Sequence, residues 1–114
     1  MKIKNLNLKG AKLISPQVFR DGRGFFLESH ETARYLEGGI ETPFVQDNHS
    51  YSTEGVIRGM HFQSEPGQAK LVRVASGKIY DVIVDIRPDS PTFGKHFSIV
   101  LTAENHKQLF KVAL

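Results

Sequence analysis

The residues best suited to proton transfer lie in residues 55–63, GVIRGMHFQ, where Arg58 and His61 stand among apolar neighbours. An imidazole titrates near neutral pH and can act as a general base, while a guanidinium binds anions. If both side chains enter one cavity, they form an anion-binding group beside a proton-transfer group. A hydrogen-bonded structural histidine and a surface arginine would give the same pattern, so the segment alone leaves both interpretations open.

The spacing around His61 bears on metal binding. The spacing of Gly55 and His61, with five residues between them, resembles the opening of the cupin metal motif. In that motif the second residue after the histidine is commonly another histidine. Here that residue is Gln63. Because a metal-binding cupin needs two imidazoles and a carboxylate around one ion, Gln63 predicts that no metal is bound. A metal-dependent cupin, with His49 as the substitute ligand, is the alternative.

Short strands must position these side chains. Breaks that contain Gly, Pro or Asp recur along the chain, and short runs rich in Val, Ile, Phe and Tyr lie between them. This spacing predicts an all-β sandwich or barrel. The exception is residues 31–36, ETARYL, which have helical character and precede Gly38 and Gly39, a pair suited to a helix C-cap.

The segment that contains His61 is predicted to begin as a strand. Strict alternation would place Arg58 and His61 on opposite faces of that strand. Gly59 lies between them, and a β-bulge at this glycine would shift the register and bring both side chains to one side.

The clearest predicted strand is residues 78–87, KIYDVIVDIR. Period-two alternation predicts one core face, made of Tyr80, Val82, Val84 and Ile86. The opposite face is mixed and contains Ile79, Asp81, Ile83, Asp85 and Arg87. Such a strand suits either a barrel wall beside a ligand cavity or an ordinary sheet surface. Residues 70–75 are predicted to pair with it through a hairpin turn at Ser76 and Gly77.

Length and composition restrict the class of protein. The 114 residues fit a single domain, 1–114, with one modest core. The absence of cysteine excludes a disulfide scaffold and suits a reducing compartment. Neither a signal peptide nor an apolar run of membrane-spanning length is present, which predicts a cytoplasmic protein without a membrane partner. Fifteen Lys and Arg against 12 Asp and Glu, without a basic tract, argue against nucleic-acid binding and permit a small anionic ligand.

Five motifs carry a resemblance to a known family. They are residues 21–28 (DGRGFFLE), 46–50 (QDNHS), 58–63 (RGMHFQ), 70–74 (KLVRV), and 81–87 (DVIVDIR) followed by 90–94 (SPTFG). In this order the chain resembles dTDP-4-dehydrorhamnose 3,5-epimerases from Lys2 to Phe110, with 58–63 matching a signature usually written RGLHYQ. The resemblance implies a cupin-type β-barrel or jelly roll, also called a double-stranded β-helix.

The reaction of the family follows from its substrate. The family inverts C3 and C5 of dTDP-4-dehydro-6-deoxyglucose in dTDP-L-rhamnose biosynthesis, which serves cell-surface polysaccharides. Both carbons flank a ketone, so proton loss gives an enolate that needs a base, an oxyanion partner and an acid. The resemblance implies that His61 is the base, that Lys70 stabilises the enolate and that Arg58 binds the sugar or diphosphate. It also implies that neither a cofactor nor a metal is required.

The resemblance further implies a nucleotide site that is shared within a homodimer. Arg23 would bind the diphosphate, Phe26 would stack on thymine and Glu28 would accept a hydrogen bond, each reaching the neighbouring subunit's site. The partner of the site is thus a dTDP-4-keto-6-deoxy sugar. The remaining polar lining is Gln46, Asp47 and Asn48.

The family pattern continues beyond Phe110 with a further His, a Tyr as general acid and an Asp that pairs with the base. None of Tyr35, Tyr51 and Tyr80 matches the position of that acid. Because catalytic groups act as a unit, the sequence to Leu114 predicts impaired activity and an incomplete barrel with open edges.

Several alternatives follow for a chain of this length. Three explanations are open: a truncated gene product, a shortened homologue that completes its barrel through a dimer partner, and a nucleotide-sugar-binding cupin without activity. An isomerase acting on a related 4-keto sugar nucleotide is a further alternative to the epimerase. In place of the missing Asp, either Asp81 or Asp85 is a candidate to contact His61 across the barrel.

Overall fold

The computed structural model describes residues 1–62 and 67–112. Within these ranges it contains strands and one short helix, which confirms the prediction of an all-β fold. In chain order they are β1 (Lys2–Asn5), β2 (Lys12–Ser15), β3 (Val18–Asp21), β4 (Gly24–Leu27), α1 (Thr32–Glu37), β5 (Lys70–Arg73), β6 (Lys78–Val84), β7 (His96–Thr102) and β8 (Gln108–Lys111).

The strands form three antiparallel groups. A four-stranded sheet has the order β1-β2-β8-β5, while β3 pairs with β4 and β6 pairs with β7. In the larger sheet, Leu13 is opposite Leu109 and Lys70 is opposite Lys111. Strand β8 therefore lies between two neighbours, and three of its four residues are buried.

Among the residues that the structure describes, the core consists of two clusters that meet at β8. Leu109 belongs to a cluster that joins the four-stranded sheet to Ile83 and Leu101 of the β6–β7 pair. Phe110, the next residue, belongs to the second cluster, which contains Tyr35 of α1. Because successive side chains of a strand point to opposite faces, β8 packs against both groups at once. Fully burying a Leu or Phe side chain contributes about 1.5–3 kcal/mol, so β8 is central to stability.

Helix α1 begins and ends at local sequence signals. The Glu31 side chain caps its first turn by accepting a hydrogen bond from the Arg34 backbone N–H at 2.8 Å. Gly38 is the C-cap, as predicted, and Gly39 follows with a φ of +92°, which favours glycine. Tyr35 fixes the helix on β8, because its hydroxyl lies 2.8 Å from Gln108 Oε1. In the part of the chain that the structure describes, no helix has the length and apolarity to cross a membrane.

The predicted hairpin between residues 70–75 and 78–87 is wrong. Strand β5 pairs with β8, and β6 pairs with β7, so the turn at Ser76 and Gly77 connects two different sheets. A two-residue turn reverses the chain locally but does not choose the partner of a strand. Here Leu71 and Val72 lie opposite Phe110 and Leu109, so apolar side chains face one another across β5 and β8. These two strands are far apart in the sequence, and a local pattern cannot detect such a pairing.

The predicted core face of β6 is also wrong. Ile83 and Asp85 are 4% and 0% exposed, whereas Tyr80 is 69% exposed. The mixed face is therefore the more buried of the two, although Ile79 at its start is 42% exposed. This is possible because the carboxylate of Asp85, just after β6, is satisfied by hydrogen bonds, which removes most of the penalty for burying a charge.

Asp85 organises the connection between β6 and β7. Its carboxylate accepts hydrogen bonds from Arg87 Nε and Nη2, both at 2.9 Å, and from the hydroxyls of Ser90 and Thr92. The Arg87 guanidinium beside it, followed by the two hydroxyls, lowers the pKa of Asp85 well below its ordinary value despite burial. Arg87 also donates to the Lys9 carbonyl at 2.6 Å, which ties this connection to the loop between β1 and β2.

Candidate active site

The β3–β4 hairpin brings two predicted nucleotide-binding residues into one cavity. Arg23 and Phe26 both line a cavity of about 320 Å³ on this hairpin. The Arg23 guanidinium lies on the surface and is paired with Asp21 at 2.7 Å, which lowers the pKa of the Asp21 carboxyl. Phe26 is 69% exposed. A cation and an aromatic ring that are both accessible suit a ligand with an anionic group and a planar base.

Sequence reasoning missed Phe19, which lies opposite Phe26 in the hairpin. The centroids of the two rings are 6.5 Å apart, and Phe19 is 54% exposed. Phe19 also lines the cavity of Arg23 and Phe26. The turn at Gly22 and Arg23 could have revealed it, since a hairpin closed there pairs position 19 with position 26.

Glu28, the third predicted nucleotide residue, is held by an arginine that sequence reasoning also missed. Arg34 Nε donates to Glu28 Oε1 at 2.8 Å, and Arg34 Nη2 donates to Oε2 at 2.6 Å. This fork lowers the pKa of Glu28, so the carboxylate is ionised and accepts hydrogen bonds at neutral pH. The sequence offered one signal for this contact: Arg34 lies in the predicted helix, six residues after Glu28, which was predicted to accept a hydrogen bond from the nucleotide.

The segment that carries Arg58 and His61 has neither of its predicted backbone features. No strand or helix occurs in residues 41–62, so the predicted strand start and the β-bulge at Gly59 are both wrong. A strand needs a hydrogen-bonded neighbour, and among the described residues nothing pairs with this stretch. Gly59 has a φ of +146°, which side chains rarely allow, so the glycine still redirects the chain between Arg58 and His61.

The polar residues of this segment lie on the surface and contact one another locally. Arg58 Nε donates to Ser52 Oγ at 2.7 Å, and its Nη2 donates to the Tyr51 carbonyl at 3.2 Å. Gln46 Nε2 donates to Asn48 Oδ1 at 3.0 Å. The other predicted members of the segment, Asp47 and His61, are likewise exposed. Within residues 1–62 and 67–112, no hydrogen bond joins Arg58 to His61.

Lys70 opens β5 on the surface and lies directly opposite Lys111 of β8. Residues opposite each other in an antiparallel ladder share a face, so two lysines stand side by side there. Lys111 Nζ is paired with Asp81 Oδ1 at 3.0 Å. Among the described residues, the other oxygen, Asp81 Oδ2, is buried without a hydrogen-bond partner.

The expectation that Asp81 or Asp85 contacts His61 is not fulfilled. Asp81 is paired with Lys111, and Asp85 is surrounded by Arg87, Ser90 and Thr92. Both carboxylates are used in packing β6 and the connection that follows it. The physical reason is that a buried carboxylate needs a nearby cation or several donors, and these are supplied by β8 and by residues just downstream.

Metal binding depends on a residue that is not described. Among residues 1–62 and 67–112, no three His, Asp or Glu side chains converge as metal ligands would. Gln63, on which the prediction of a metal-free site depends, lies outside the described residues. The metal-free site therefore stays a prediction.

Comparison with known proteins matches this chain to one family. The family model of dTDP-4-dehydrorhamnose 3,5-epimerase matches residues 5–112. The enzyme of that name from Neisseria gonorrhoeae is 49% identical over 110 residues, covering 96% of this chain and 34% of the relative. The one from Methanothermobacter thermautotrophicus is 48% identical over 104 residues, covering 91% of this chain and 56% of the relative. The chain thus spans between about a third and just over half of the length of these two relatives.

Solved structures give the same result for the fold. The Bacillus anthracis 3,5-epimerase with TDP and PPi bound has a TM-score of 0.92 at 48% identity, with 98% of this chain and 66% of that chain covered. The Legionella pneumophila 3,5-epimerase in complex with dTDP-4-keto-L-rhamnose has a TM-score of 0.93 at 46% identity, covering 98% and 60%. The chain therefore has the cupin-type β-fold of these sugar-nucleotide epimerases. It belongs to the dTDP-4-dehydrorhamnose 3,5-epimerase family.

Proposed function

We propose that this chain acts in the inversion of C3 and C5 of a dTDP-4-keto-6-deoxy sugar, as a dTDP-4-dehydrorhamnose 3,5-epimerase. The observation that carries the proposal is the family match over residues 5–112, which includes all five motifs of the sequence. Support comes from the Legionella pneumophila relative, whose structure is a complex with dTDP-4-keto-L-rhamnose. The product would be dTDP-4-keto-L-rhamnose, which a separate reductive step at C4 would convert to dTDP-L-rhamnose for a cell-surface polysaccharide. The epimerisation itself would take place in the cytoplasm.

The chemistry divides among three side chains in this proposal. His61 removes the proton next to the ketone, first at one carbon and then at the other, and its exposed imidazole is open to a ligand. An acid on the opposite face of the sugar, which the family supplies beyond the position of Phe110, returns a proton to each carbon. Lys70 donates to the C4 oxygen as negative charge develops there. Removal of such an oxyanion donor costs about 10²–10³ in rate. Arg58 binds the sugar or the diphosphate through its guanidinium.

The nucleotide is held by the β3–β4 hairpin in this proposal. Arg23 binds the diphosphate, Phe26 stacks on the thymine and Glu28 accepts a hydrogen bond. Their support is the cavity that Arg23 and Phe26 share and the ionised state of Glu28. Further polar contacts come from Gln46, Asp47 and Asn48.

We infer that the site is completed within a homodimer, with Arg23, Phe26 and Glu28 reaching the neighbouring subunit's site. Large apolar side chains of the segment around His61 support this inference. Ile57 is 92% exposed, and Phe62 and Met60 are also largely exposed. Several exposed apolar residues in one segment are typical of an interaction surface, because burying apolar area contributes about 25 cal/mol per Å².

Proton exchange with solvent tests the proposed function. The protein is incubated with dTDP-4-keto-6-deoxyglucose in D₂O, and deuterium at C3 and C5 is followed by NMR. Enolate formation predicts deuterium at both carbons. Binding of the nucleotide sugar without deuterium uptake would instead show a binding protein without catalysis, and the epimerase function would be rejected.

A further inference from the structure

Arg34 makes the best-defined contact with a proposed ligand-binding residue. Its Nε and Nη2 atoms donate to the two oxygens of Glu28 at 2.8 and 2.6 Å. A guanidinium and a carboxylate that share two parallel hydrogen bonds fix each other's plane, which a single bond to a lysine cannot do. The orientation of the Glu28 carboxylate is therefore set by Arg34.

Buried contacts hold the residues next to both members of this pair. Arg34 is followed by Tyr35, which is buried and hydrogen-bonded to Gln108 of β8. Glu28 is followed by Ser29, whose carbonyl accepts a hydrogen bond from Gln108 Nε2 at 2.8 Å. The same buried glutamine thus contacts the residue that follows each partner, through the side chain of Tyr35 and through the backbone carbonyl of Ser29. Side chains supported in this way lose less conformational entropy when a ligand binds.

The pair also leaves Glu28 able to accept from a ligand. Two carboxylate oxygens offer about four acceptor positions, and the Arg34 fork uses one on each oxygen. Both side chains remain partly exposed, at 60% for Arg34 and 39% for Glu28. The Glu28 side chain is therefore partly open to solvent, where a ligand donor can reach it.

We propose that Arg34 is a positioning residue for nucleotide recognition, holding the Glu28 carboxylate in the orientation that accepts a hydrogen bond from the base or sugar of the ligand. Arg34 itself does not touch the ligand. The proposal rests on the proposed function, in which Glu28 is a nucleotide-binding residue. It assigns a role to a residue outside the five sequence motifs.

A double-mutant cycle tests the proposal. The dissociation constant of dTDP is measured by calorimetry for the unaltered chain, for Arg34→Gln, for Glu28→Gln and for the double variant. We expect Arg34→Gln to weaken binding about three- to tenfold, the cost of ordering one free side chain on binding. In the Glu28→Gln background the same change has no further effect, because the group that Arg34 orients is already altered. Arg34→Lys keeps the charge but loses the fork, so it also weakens binding.

Controls separate positioning from charge and folding. Lys78→Gln removes an exposed positive charge from β6 and leaves the affinity unchanged. Thermal unfolding of each variant shows whether α1 still packs. Unchanged affinity in Arg34→Gln, or losses that add in the double variant, would overturn the role of Arg34 while the proposed function stands. Failure of the unaltered chain to bind dTDP overturns both.

Discussion

Replacing Asp85 by Ala tests the interpretation of β6 and the connection that follows it. Asp85 is fully buried, and its carboxylate accepts from Arg87, Ser90 and Thr92. Breaking a fully buried ion pair costs about 3–5 kcal/mol, because the remaining charge is left uncompensated. Arg87 is 28% exposed and regains some hydration, so we expect a loss of about 2–3 kcal/mol. Urea denaturation measures this loss as a lower midpoint at unchanged slope.

The pH dependence of stability gives a second measurement on the same residue. Because Arg87 and the two hydroxyls lower the pKa of Asp85 in the folded state, the ionised carboxylate stabilises the fold above its ordinary value of 3.8. This contribution is lost as the pH falls from 3.8 towards the folded-state pKa, by at most about 1.4 kcal/mol per pH unit for one proton. Asp85→Asn cannot ionise and lacks this dependence.

The comparison between Asp85→Asn and the unaltered chain isolates one carboxylate. Other acidic groups titrate in both proteins, so only the difference between the two stability curves is informative. We expect the curves to converge as the pH falls below 3.8. Parallel curves over that window would refute the assignment of Asp85 as the ionised centre of this network, as would an Asp85→Ala variant as stable as the unaltered chain.

Two further substitutions test the core and the buried ion pair. Leu109→Ala should cost about 2–5 kcal/mol of unfolding free energy, because Leu109 is fully buried in β8. Its control, Leu36→Ala at an exposed position of α1, should change stability by less than about 0.5 kcal/mol in the same urea titration, and equal losses would contradict the core assignment. Lys111→Met should destabilise the chain because it leaves the Asp81 carboxylate without its cation, and adding Asp81→Asn should recover much of the loss. No recovery in the double variant would show that the ion pair is not the cause.

Some local signals in the sequence predicted local structure correctly, although the turn at Ser76 and Gly77 and the strand around Gly59 were predicted wrongly. Helix α1 was found from its residue types and from Gly38 and Gly39 after its last turn, because a helix and its caps are decided within a few residues. The all-β class followed from turn residues at short spacing. Arg23 and Phe26 share a cavity because both belong to one hairpin, and a hairpin is also a local structure.

Features that depend on distant partners could not be predicted. The pairing of β5 with β8 joins residues about 40 positions apart, and no local pattern encodes it. The buried face of β6 was assigned wrongly because alternation treats Asp85 as polar, whereas Arg87, Ser90 and Thr92 make its burial tolerable. Arg34 was missed for the same reason, since its role exists only once α1 lies beside Glu28.

The most direct test of the proposed chemistry compares two histidines of one exposed segment. Deuterium uptake at C3 and C5 of dTDP-4-keto-6-deoxyglucose is measured for His61→Ala and for His49→Ala, with dTDP affinity measured in parallel. We expect His61→Ala to abolish uptake at both carbons while binding dTDP nearly as tightly as the unaltered chain, and His49→Ala to retain uptake. Continued uptake in His61→Ala would contradict the assignment of His61 as the base.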